Sequence, residues 1–237
     1  AANANEYLDY GWLGRFLDIH CKDESLPSLN IDTVDNLALK AATANGLTLK
    51  DINKIKNYTN AEKEVVLSDN PQLDFVRKLQ YASLEGMDEI NKALQKGQPY
   101  SEPYANNPLS KNLEWIAQLI KGNLNTAVYY TSQNGYDTHD NQIPSQKRNF
   151  TELNDAVATL YDDLKASGKL ASTTIVIFSE FGRRVKDNGS GTDHGTAAPM
   201  FIIGGNNKGQ IIGENPNLLD LDSGDLKYKI DFRSVYA

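Results

Sequence analysis

Residues 173–205, TTIVIFSEFGRRVKDNGSGTDHGTAAPMFIIGG, decide the fold. Six apolar or β-branched residues, Thr173 to Phe178, open the stretch, and PMFIIGG closes it with a second apolar run. A nearly continuous run such as TTIVIFS reads as a strand buried on both faces of a parallel sheet, with the direction of the PMFIIGG strand left open. Upstream, Phe150, Leu153, Val157, Leu160 and Leu164 recur at three, four, three and four, which predicts a helix over about 146–167 with Gly168 as its left-handed cap. Before that helix lies another strand-like run, TAVYYTS, at 126–132. Strand, helix and strand together predict a right-handed βαβ crossover in one parallel sheet.

The N-terminal half reads as mostly helical. Leu8, Trp12, Phe16 and Ile19 mark one amphipathic helix. Residues 71–96 mark a second, opened by Asn70-Pro71, carrying Leu84, Met87, Ile90 and Leu94, and closed by Gly97 and Pro99. Leu109, Leu113, Ile116 and Ile120 mark a third that Gly122 ends. Residues 26–49 are expected to hold short strands such as NLALKA, and DFRSVYA begins a further helix. The expectation is one α/β domain, with 1–122 a mostly helical part, cap or insertion, and 123–237 the α/β core.

With 237 residues and 40% hydrophobic content the chain can bury a sizeable core. Its net charge of −7 and lack of a basic cluster argue against nucleic acid or an anionic membrane as partner. No run approaches the ~20 apolar residues that span a bilayer. The single cysteine, Cys21, cannot form an internal disulfide, which leaves both cytosol and periplasm open. The start AANANEYLDY and the end DFRSVYA are both read as interior to a longer protein.

Functional groups of open α/β sheets gather at the carboxyl ends of strands. That rule brings Asp137, His139 and Asp140 of YDTHD to the same edge as Glu180 of SEFG, with Asp193 and His194 of GTDHG able to lie over it. Carboxylates and imidazoles suit zinc, manganese or iron. Other roles stand beside this one. Asp137 and Asp193 could be turn or cap residues, Glu180 could pair with Arg183 or Arg184, and either histidine could be an ordinary surface group. Ser179 and Ser190 lack the GxSxG setting of a hydrolase nucleophile, GSGTDHG lacks the Lys-Ser/Thr ending of a phosphate loop, and His20 sits at a helix end beside Cys21.

NEYLDYGWLGRFLD, NGYDTHDNQ, TTIVIFSEFGRR, GTDHGTAAPMFIIGG and DFRSVYA together closely resemble the DUF1501 proteins, a bacterial family grouped with the alkaline phosphatase and sulfatase superfamily. The resemblance implies a three-layer α/β/α sandwich around a mainly parallel sheet. It implies a metal-dependent hydrolase of phosphate or sulfate esters, holding zinc, manganese, magnesium or calcium. By that likeness Asp137 is the first metal-bearing Asp, Glu180 the strand-end ligand and His194 the late His, with His139 and Asp193 as further ligands. Arg183 and Arg184 would meet the anionic ester. The superfamily's nucleophile follows its first strand, which places it upstream of Ala1, and many relatives are exported, so the periplasm or the exterior is expected. Two departures stand out. The superfamily's strand-end Asp-His pair reads Glu180-Phe181, and Asn141 occupies the slot of a second histidine, so one ion, or a harder ion held mainly by carboxylates, is expected. The same departures leave open a non-catalytic binding or cell-surface protein that keeps the fold.

Overall fold

The computed structural model of the protein describes residues 8–44, 46–57 and 68–236. The chain divides into two compact units between Ser132 and Gln133. The division falls after the strand of TAVYYTS.

In the first unit, α1 (Trp12–His20) buries Gly14 and Leu17, while Phe16 and Ile19 of the expected apolar stripe are exposed. The reason is a close approach: a Cβ on Gly14 would sit 2.0 Å from the Lys40 carbonyl oxygen, so the helix packs through a residue without a side chain. β1 (Ser28–Asn30) is the centre of a three-stranded parallel sheet, between β2 (Leu47–Thr48) and β3 (Val128–Tyr130), with Leu29 opposite Leu47 and Tyr129. Its central position explains why Ser28, Leu29 and Asn30 are all buried. The expected strand NLALKA is instead a 3-10 turn at Leu37–Leu39, because the Asn36 side chain accepts the Ala38 N–H at 2.9 Å and starts a turn there.

Two Asn-Pro steps open the long helices. In α2 (Pro71–Lys96) the Asn70 side chain accepts from the Gln72 and Leu73 N–H groups, both at 3.1 Å; in α3 (Pro108–Lys121) Asn107 accepts from Ser110 at 2.9 Å. Proline at the first helical position has no N–H that would go unpaired. Ile90 and Ala93 of α2, and Leu113, Ile116, Ala117 and Leu119 of α3, are buried. The two helices meet backbone to backbone at their ends. A Cβ on Gly97 would lie 2.0 Å from the Gln118 carbonyl oxygen, and one on Gly122 would lie 2.0 Å from that of Ala93.

The second unit carries α4 (Gln142–Ala166), β4 (Thr174–Ile177), β5 (Gly182–Asp187), β6 (Thr192–Gly195), β7 (Phe201–Gly204), the small hairpin of β8 (Leu221–Asp222) and β9 (Asp225–Leu226), and α5 (Phe232–Val235). Here the βαβ expectation is corrected. β4 pairs antiparallel with β7, and among the described residues it shares no sheet with β3. The connection from β4 to β7 holds a hairpin and no helix, so it lacks the crossover that a parallel neighbour requires. Nor is β4 buried on both faces: Val176 is 43% exposed. The segment expected as a loop between them is the antiparallel hairpin β5–β6, turned at Asn188-Gly189, where Gly189 has φ +93°. The chain is thus mixed α/β with a three-stranded parallel sheet. No helix of the described residues is long and apolar enough to cross a membrane.

Candidate metal centre

The site is built on the first turns of α4. Gln142, Gln146 and Asn149, spaced four and three, fall on one side of the helix. Buried Asn149 donates its amide to the Gly135 carbonyl at 2.7 Å, and Gln146 donates to Thr138 Oγ1 at 3.0 Å. These two bonds fix the loop that carries Asp137. Gln142 donates to Thr192 Oγ1 at 2.9 Å and so ties β6 to the same helix. Gly135, at φ +99°, has no room for a Cβ, which would come within 2.9 Å of the Asn149 amide nitrogen. Tyr136 packs its ring 5.4 Å from that of Phe150 and donates its hydroxyl to Gln133 Oε1 at 2.7 Å. Burial, with the Glu152 charge adding, pushes the phenol pKa up.

The hairpin turn latches onto the same helix start. Ser190 Oγ accepts the Asn141 N–H at 2.8 Å and the Ser190 carbonyl accepts the Gln142 N–H at 2.9 Å, pairing amides that the helix itself leaves open. Asn188 Nδ2 donates to the His139 carbonyl at 3.0 Å. Gly191 lets the hairpin turn and the 138–139 loop come this close, since a Cβ there would lie 2.5 Å from the His139 carbonyl carbon. In the hairpin register His194 stands directly opposite Arg183, and Gly195 opposite Gly182.

Three of the sequence-derived candidates converge. His194 Nε2 lies 2.7 Å and His139 Nε2 2.9 Å from the same Asp137 Oδ1. The donor atoms of all three lie within 4.8 Å of one another. The His194 hydrogen bond, helped by the charges of His194, His139 and Arg183 and opposed by burial, holds the Asp137 carboxyl below its usual range. Two imidazole nitrogens and one carboxylate oxygen this close together are a donor set that could hold one transition-metal ion with an open position; magnesium and calcium prefer all-oxygen sets.

The remaining candidates fall elsewhere. Glu180 is exposed at the bend before β5 and is outside the three-donor group, as is exposed Asp140. Asp193 accepts the His194 backbone N–H at 2.7 Å and lies 3.9 Å from His139 Nδ1, on the far side of a ring whose Nε2 faces Asp137. Arg183 donates Nη1 to the Thr192 carbonyl at 2.8 Å and Nη2 to the Tyr136 carbonyl, and its side chain is 17% exposed. Arg184 donates to the His194 and Ser223 carbonyls and is exposed, lining an open depression with His139, Lys186, Asn188 and Asp193. His20 sits at the end of α1 with its ring 4.8 Å from Phe16. Sequence reasoning missed Gln142, Gln146, Asn149, Phe181, Asn188 and Ser190. The polar four-and-three spacing on α4 and the Asn-Gly turn were the available signals.

One carboxylate and two imidazoles, presented by a hairpin and a helix-anchored loop, form a candidate metal centre in a chain of mixed α/β structure. Over residues 4–225 the chain matches the family described as a protein of unknown function, DUF1501, and it belongs to that family. No curated protein and no solved structure gives a significant match.

Proposed function

We propose that the chain forms the metal-binding part of a divalent-metal-dependent hydrolase acting on small phosphate or sulfate esters, with an alkaline-phosphatase-like α/β/α sandwich as the fold of the full-length protein. The convergence of Asp137, His139 and His194 supports this reading most directly. These three residues would hold one ion, and their nitrogen content favours zinc or manganese over magnesium or calcium. Such an ion, when bound, supplies Lewis-acid stabilisation of ester oxygens. The chain's own contribution is placement: Asp193 stands on the outer side of His139, 3.9 Å from Nδ1, and adds a negative charge there without a direct hydrogen bond. Arg184, at the rim of the depression beside His139, is the guanidinium placed to meet an ester's anionic oxygens.

A non-catalytic descendant of the same fold is the second reading. It is favoured by a donor set of only three exposed residues, with Glu180 outside it. Metal analysis and calorimetric titration of the full-length protein with Zn2+ and Mn2+, followed by turnover of aryl phosphates and aryl sulfates, separates the two. About one ion per chain, with turnover abolished by chelation and by Asp137→Asn, is expected. Metal uptake without turnover supports the second reading; no uptake overturns the metal-site assignment and the hydrolase reading with it, and leaves the second standing with a degenerate site.

A further inference from the structure

We infer that Phe181 and Arg183 are positioning residues, which hold Asp137 and His194 in their converged arrangement, and that Arg183 is therefore not a substrate-binding group. Phe181 lies face to face on the His194 imidazole, with ring centroids 4.2 Å apart and planes 9° from parallel. The Arg183 guanidinium carbon in turn lies 5.1 Å from the centre of the Phe181 ring, within cation–π range. His194 is thus flanked by Phe181, and its neighbour His139 sits 4.9 Å away, ring to ring. A phenyl ring can stack but cannot ligate, so at this position the chain supports a ligand instead of adding one.

Arg183 joins the two halves of the site. One arm of its fork holds the carbonyl of Tyr136, the residue before Asp137; the other holds the carbonyl of Thr192, two residues before His194. Its Nη2 also stands 3.7 Å from Asp137 Oδ1. Only a planar guanidinium spans two carbonyls in this way, and a lysine ammonium on a flexible stem does not fix both. The Arg183 Nε is buried without a hydrogen-bond partner, which fits a side chain turned inward by its fork and is the opposite of one reaching into solvent for an anion.

The consequence for metal uptake rests on the metal-site reading above, whereas the brace itself can be observed without metal. The test uses the full chain and Phe181→Leu, Phe181→Tyr and Arg183→Lys variants. In metal-free wild type the His194 ring protons are expected upfield by NMR, through the Phe181 ring current, and Phe181→Leu should release them while Phe181→Tyr keeps them shifted. With Zn2+ as the probe, calorimetric affinity should fall about 10–100-fold in Phe181→Leu and Arg183→Lys and recover in Phe181→Tyr, the scale of losing an outer partner of a metal ligand. Wild-type ring protons without the shift overturn the inference, whatever the variants do. So does an Arg183→Lys protein that keeps both its Zn2+ affinity and its His194 shifts, the behaviour of an arginine that only meets substrate. Shifted ring protons that Phe181→Leu releases, in a chain that takes up no Zn2+, support the brace and overturn the metal-site reading.

Discussion

Gly191→Ala should impair metal binding although residue 191 is no ligand. The Cβ it adds would lie 2.5 Å from the His139 carbonyl carbon, 2.6 Å from its oxygen and 2.7 Å from the Thr138 oxygen. Ordinary contacts begin near 3.4 Å, so the turn and the 138–139 backbone must separate by about 0.9 Å, well beyond the roughly 0.2 Å to which metal–ligand distances hold. All three neighbours are backbone atoms and cannot rotate away as a side-chain end would. The Asn188 bond to the His139 carbonyl is strained by the same movement. The expected result is a Zn2+ affinity lowered about 10–100-fold, comparable to loss of an outer-shell partner. Calorimetry on the metal-free protein measures it, with far-ultraviolet circular dichroism to verify folding. Gly189→Ala is the control: at φ +93° it strains the turn by about 1 kcal/mol or more. No atom lies within 4 Å of its new Cβ, so His139 stays in place and affinity is retained. Equal affinity in wild type and Gly191→Ala, with wild type binding Zn2+, would refute the claim that the turn sets the position of His139.

Two further outcomes concern the first unit. Asp18 accepts N–H groups of Ala42, Thr43 and Ala44, each at 2.8 Å, and the Thr43 hydroxyl at 2.7 Å, and these bonds, that from Ala42 foremost, hold its carboxyl well below the usual range. Because the folded value lies below the unfolded one, the contribution is present above the ordinary carboxylate value of about 3.9 and is lost as pH falls through the depressed value; melting curves of Asp18→Asn and wild type should converge as the solution is acidified. Gly97→Ala drives a Cβ to within 2.0 Å of the Gln118 carbonyl oxygen and should destabilise the α2–α3 contact by about 1–3 kcal/mol in urea unfolding, whereas Gly209→Ala, with open space around it, should stay within about 0.5 kcal/mol.

What the sequence made legible was set by how local each signal is. The Asn-Pro opening of α2 and the glycine ending α3 are decided within a few residues, and the structure has them at Asn70 and Gly122. Strand partners are not local. Thr173 to Phe178 and Thr126 to Ser132 carry the same apolar signature, yet β3 joins β1 and β4 joins β7. Periodicity also misplaced the buried side of helices that pack through small or polar residues. In α1 the inward residues are Gly14 and Leu17; in α4 Leu160 and Leu164 are buried as the stripe predicts, but at its start Asn149 is buried while Phe150 is 52% exposed.

That last inversion bears on the site itself. A buried asparagine at the start of α4 is unfavourable unless its amide is paired, and the partner it finds is the Gly135 carbonyl in the loop that carries Asp137. Polar residues at 142, 146 and 149 interrupt the helix's apolar stripe for the same reason, since each reaches a loop or strand holding a candidate ligand or its neighbour. Asp137, His139 and His194 were legible only as part of a larger set with Asp140, Glu180 and Asp193, because few side chains bind ions and all six lie at or near the ends of expected strands. Their supports were not legible, because glutamine, asparagine and phenylalanine occur anywhere, and only the hairpin register places Arg183 opposite His194. The Asn-Gly step inside GRRVKDNGSGTDHG is itself a hairpin signal, and a hairpin closed there sets residues 183 and 194 across from one another. The position of the candidate ligand His194 is therefore a property of strand pairing more than of the loop sequence in which it is found.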